Sequence, residues 1–218
     1  ILWMWIVGVL GMATKYVECA LGTLYRDDQS DKDDVRGGPM YYIVNGLGES
    51  WRWLAVILAL AIGLGALGAG GMFQANQAAS ALLRYYDIPL TVTGAILAIL
   101  LGLVIIGGIK RIGQVASKIV PSMCTIYVLG ALYICMSNWQ HIGAALQLII
   151  TDAFTGQAAA GGSFAAVLIW GVRRAVFSNE AGLGTASIAH AAVKTDYPIR
   201  EGIVASLGPL IDTVIVCT

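Results

Sequence analysis

The feature that most constrains this chain is its division into apolar runs of about the length a lipid bilayer demands. A hydrocarbon core about 30 Å thick takes roughly 20 residues at the helical rise, and that ruler gives six runs: 1–24, 53–83, 89–109, 119–136, 164–193 and 201–218. Charged residues make up only 12% of the 218 positions and hydrophobic ones 58%. Mean hydropathy is +0.77. A water-soluble domain of this size is about one-quarter charged, so the expected fold is an all-α, polytopic helical membrane bundle. Net charge is zero, which leaves no electrostatic footprint for nucleic acid.

The runs differ in character. The first is apolar apart from Lys15 and Glu18, three apart on one helical face, which read as a structural pair. The second is long, about 45 Å at the helical rise, so it must tilt or protrude. Ala61, Gly65 and Ala69, and likewise Gly94, Ala98 and Gly102, recur every four residues and mark close-packing faces. Gly63, Gly65 and Gly68 spell G-x-G-x-x-G, but inside a membrane helix, without the strand and acid a dinucleotide site needs. Cys19, Cys124, Cys135 and Cys217 read as buried thiols, with no C-x-x-C pair for a metal. Both ends read as cuts, since the chain starts without a Met and stops within an apolar run. Basic residues follow the first, third and fifth runs, whereas the opposite connections hold only Arg84. The first, third and fifth connections are therefore expected to be cytoplasmic.

The segment 164–193 carries the chemistry. Arg173, Arg174, Asn179 and Glu180 lie centrally in a stretch otherwise apolar enough to span, and intramembrane ionisable residues normally face a cavity or a partner. Gly182 and Gly184 follow, with Ser178 and Asn179 as possible N-caps, so the helix is expected to break over 177–184. Each half is too short to span alone, which favours one broken span over two. Unpaired backbone at mid-membrane is tolerated only where it lines a cavity, and there it suits the carboxylate and the cation of a transported solute. Phe177, Ser178, Asn179 and Gly182 are the expected solute-facing residues. Gln74 and Asn76 reach either the solute path or neighbouring helices. Arg173 and Arg174 form a gate or counter Glu180. Asp212 relays protons or, as favoured here, has a structural role. His141 and His190 lack partners at metal-ligand spacing and read as interfacial.

Three blocks carry a resemblance. Leu2-Trp3-Met4-Trp5-Ile6 with Gly11-Met12-Ala13-Thr14-Lys15-Tyr16, then Gly37-Gly38-Pro39-Met40-Tyr41-Tyr42-Ile43, then Phe177 to Gly184 continuing through Ile188 to Thr195, resemble the alanine/glycine:cation symporters in that family's order. The resemblance implies a leucine-transporter type of fold with two inverted five-helix repeats. It also implies a midplane site for sodium and a small amino acid, and no enzymatic activity or cofactor beyond the coupling ion. The chain would hold core helices two to six and the start of seven, leaving the main sodium ligands in helices outside it. Where the family commonly reads Gly-Asn-Met-Val-Gln-Ala-Asn, this chain has Gly70-Gly71-Met72-Phe73-Gln74-Ala75-Asn76. The expected function is sodium-coupled symport of alanine or glycine across the plasma (inner) membrane by alternating access. Proton coupling is the alternative. An intramembrane hydrolase is disfavoured because no catalytic constellation lies at depth.

Overall fold

A computed structural model describes residues 1–27, 35–154 and 164–218. These fold into helices, joined by short connections and one isolated bridge between Asp27 and Arg36. Three helical stretches are long and apolar enough to cross a membrane: Leu2–Leu24, Glu49–Tyr86 and Arg111–Ser137. The helical membrane class expected from the apolar runs is therefore found.

Two compact units divide the chain. The first comprises residues 1–62 and 133–218. It is built around α1 (Leu2–Leu24), with α2 (Pro39–Leu47), the start of α3 (Arg52–Ala69), the end of α6 (Gly108–Ser137) and α7 (Trp139–Phe154). α8 (Phe164–Asn179), α9 (Thr185–Ala191), α10 (Pro198–Pro209) and a π-helical turn over Leu210–Val216 complete it. α1 is the hub, packing on α10, α8, α9 and the π turn. Near its start the Trp3 indole donates to the Ala153 carbonyl at 3.1 Å and meets Phe154 edge-on, which ties α7 to α1.

The second unit, residues 63–132, contains the rest of α3, α4 (Gly71–Tyr86), α5 (Leu90–Ile105) and most of α6. α4 and α5 form an antiparallel pair across a tight turn. Asp87 closes α4 in the left-handed conformation at φ 54, and Pro89 then prevents its continuation. Large apolar side chains point outward here: Leu64 is 70% exposed and Ile126 73%. In water such a surface would drive aggregation, whereas lipid is its natural solvent.

Several expectations change. Within the helical stretch that holds the run 53–83, Gly70 departs to ψ −137 and separates α3 from α4. At Gly63, Gly65, Gly68, Gly94 and Gly102 a side chain would meet open space, so the small-residue faces have no packing partner among the described residues. Of the four cysteines, Cys19 is buried while Cys135 and Cys217 are exposed; apolar sequence marks lipid exposure as readily as protein burial. The connection between the fourth and fifth runs, 137–163, which lies outside the six runs, contains α7, and its residues 155–163 lie outside the described residues. The charges of the first connection fall partly there too, at residues 28–34.

Candidate functional site at the helix break

α8 ends at Asn179 and α9 begins at Thr185, so helical bonding stops over residues 180–184, inside the interval expected to break. Glu180, Gly182 and Gly184 all take positive φ, at 51, 85 and 85. Left-handed backbone costs an L-residue about 1–2 kcal/mol, which glycine avoids. At Gly184 crowding adds to this, because a Cβ would lie 2.8 Å from Pro39 and 2.9 Å from Ile62. The block Gly37-Gly38-Pro39 thus packs beside the break. A Cβ at Gly37 would meet Ala191 at 2.3 Å, and one at Gly38 would meet Ile188 at 2.5 Å. Two sequence blocks separated by more than a hundred residues form one structure.

The ends of the break are held by α1. The Lys15 ammonium donates to the Asn179 carbonyl at 2.9 Å. The Gly182 and Gly184 amides donate to the two Glu18 carboxylate oxygens, each at 2.7 Å. Lys15 and Glu18 are 9% and 6% exposed. The expected Lys15–Glu18 pair is therefore corrected: each residue satisfies one exposed helix end, an ammonium on carbonyl and a carboxylate on N–H, as the helix dipole requires. Burial of charge in an apolar helix is tolerable only with such partners. Behind α1, burial and then the Glu18 charge raise the Tyr42 phenol above its ordinary pKa.

Asn179 is the most constrained of the expected solute residues. Its side-chain oxygen accepts from the Ala181 amide at 3.0 Å. Its Nδ2 is buried with no partner among the described residues, against the surface left by Gly11, where a Cβ would stand 3.0 Å from it. Ser178 and Asn179 are the last residues of α8 and do not N-cap α9, whose N-cap is Gly184. Ser178 donates instead to the Asp212 carboxylate and meets Cys217 Sγ at 3.2 Å. Asp212 lies in the π turn, a geometry frequent at functional sites. Phe177 is 48% exposed, and Gly182 is also exposed.

The expected charge partners sort differently. Glu180 accepts from the Thr185 hydroxyl at 2.8 Å, and Arg173 lies over the Trp170 ring at 5.9 Å. Arg174 is exposed, and neither arginine pairs with Glu180. Gln74 and Asn76 are exposed on α4, which belongs to the second unit, whereas the break belongs to the first. A groove lined by Leu2, Trp5, Ile6, Val9 and Leu10 is wholly apolar and offers a polar solute nothing.

Below the break, two contacts escaped the sequence reading. His190 Nδ1 lies 2.5 Å from Glu201, so this histidine is paired across to α10 and is not simply interfacial. Arg26 donates to the carbonyls of Val193 at 2.7 Å and Thr195 at 3.0 Å, strapping the chain that leaves α9. One signal was available for the α1 contacts. Gly8, Gly11, Lys15, Glu18 and Gly22 are spaced three, four, three and four apart, so they share one helical face. A face mixing glycines with two charges in an apolar helix marks close approach to polar backbone. Their actual neighbours are Thr213, Asn179, the break and Ser187.

Comparison with known proteins places the chain among transporters. The family described as the sodium:alanine symporter family matches residues 1–218. An uncharacterized transporter of Haemophilus influenzae is 45% identical over all of this chain and 48% of its own length. The sodium/alanine symporter AgcS of Methanococcus maripaludis is 42% identical, with 100% and 48% covered. The probable sodium/glutamine symporter GlnT of Bacillus subtilis is 36% identical, with 100% and 45% covered. The chain spans about half the length of these relatives. Transport is the business of this group, and no catalytic family is indicated. From its blocks, its broken helix and this match along its whole length, the chain belongs to the sodium:alanine symporter family.

Proposed function

We propose that these residues form part of a sodium-coupled symporter of alanine or glycine in the plasma membrane, with the solute bound at the break between α8 and α9. The observation that carries this reading is Asn179, a buried amide at the edge of unwound backbone whose Nδ2 has no partner among the described residues. A buried donor without an acceptor is costly, and a solute carboxylate or carbonyl would satisfy it after a small opening between α8 and α1. Phe177, Ser178 and Gly182 complete this side of the site, and Gln74 and Asn76, on α4, are read as lining the solute path. Arg173, Arg174 and Glu180 are exposed beside it and act in gating. The fold is of the leucine-transporter type, with six spans, one of them broken, and with the first, third and fifth connections cytoplasmic. The named relatives include alanine and glutamine symporters, so solute size is a matter for competition among alanine, glycine and glutamine.

Proton coupling is the second reading, favoured by one contact: Asp212, a carboxylate on the π turn, accepts from Ser178 at the end of α8. The solute site is tested by Asn179→Ala in the full-length gene product carrying these residues. Uptake should be lost while the amount in the membrane is unchanged, since an unpaired solute group costs roughly 1–3 kcal/mol. Normal uptake by the variant would move the site elsewhere.

A further inference from the structure

We infer that Lys15 and Glu18 of α1 are positioning residues for transport, a clamp that sets the geometry of the break and reserves Asn179 for the solute. The inference rests on the reading of the break as the solute site and goes beyond it. Three observations support it. The bonds are short and charge-assisted, at 2.9, 2.7 and 2.7 Å, between groups that are buried. The two side chains stand about one turn apart on a single face. Their order along α1 is also the order the break needs, with the cation on the carbonyl of Asn179 and the anion on the amides that lead into α9.

Two consequences follow for the solute. Glu18 occupies the Gly182 and Gly184 amides, so these are not free to receive a solute carboxylate as the start of a half-helix otherwise would. Lys15 holds the Asn179 backbone and the Ala181 amide holds its side-chain oxygen. Nδ2 is thereby left as the single uncommitted polar group of that residue, in a fixed direction. Positioning of this kind acts on binding, and a residue that merely stabilised the fold would not change affinity selectively.

The test measures uptake kinetics and membrane abundance together in the full-length gene product. Glu18→Gln retains volume but cannot accept from both amides, and Lys15→Met removes the ammonium. Each should raise KM about tenfold or more, as expected for loss of a charge-assisted bond, with the maximal rate per inserted molecule nearly unchanged. Lys15→Arg should restore KM. The double exchange Lys15→Glu with Glu18→Lys is the sharpest arm. It preserves a charge pair on α1 but sets each charge against the wrong helix end, so it should be worse than either single variant. A wild-type KM in Glu18→Gln, or loss of abundance alone, would overturn the assignment, and so would tolerance of the exchange. If the exchange does not insert, Glu18→Gln decides alone. Asn179→Ala measured alongside separates the two readings. Lost uptake there with normal Glu18→Gln overturns only the clamp, whereas normal uptake there overturns the solute site.

Discussion

At Gly184 the backbone turns at φ 85 while Pro39 and Ile62 close on the position from the side. Gly184→Ala should therefore lower stability by about 1–2 kcal/mol from the left-handed conformation alone, with more from the contact. Gly63→Ala is the matched control. It lies within α3 facing open space, where alanine is the better helix former by about 1 kcal/mol. Melting in detergent should fall for the first and hold or rise for the second; equal melting would mean Gly184 is not crowded. The break was legible because polar and ionisable residues interrupt an apolar run, an anomaly visible at one position after another. The partners of Lys15 and Glu18 were not. A local reading supplies only neighbours three or four residues away, and the true partners lie 164 and 166 positions further on.

Among the elements, α1 acts as a template: its glycines admit α8, the π turn and α9 closely, and its two charges hold the gap between the helices. Arg26 extends this beyond the helix by gripping the carbonyls of Val193 and Thr195. Two donors on a planar guanidinium fix both at once, which a lysine cannot copy. Arg26→Lys should thus raise hydrogen exchange in the segment 192–197 with little effect on the body of α1. Unchanged exchange there would show that the strap is held by other contacts. Helix class was readable for these elements from length and hydropathy, while their limits were set by single residues. The interruption at Gly70 was signalled by the dipeptide Gly70-Gly71, a turn marker outweighed in the reading by the long apolar run around it. α7 fell outside the six runs because Trp139–Phe154 mixes apolar residues with Gln140, His141, Gln147 and Asp152.

For the whole molecule, the basic residues after the first, third and fifth runs set the proposed orientation. In a background without Cys19, Cys124, Cys135 and Cys217, a cysteine at Asp27 should react with an impermeant reagent only from the cytoplasmic side. One at Asp87 should react only from outside, and the reverse pattern would invert the topology. Coupling is the property on which the account as a whole depends. The full-length gene product in proteoliposomes, given an inward sodium gradient at fixed pH, should accumulate labelled alanine. Replacing sodium with choline should abolish that accumulation. Undiminished accumulation in choline, or none under the sodium gradient for alanine and glycine alike, would contradict sodium-coupled symport of a small amino acid.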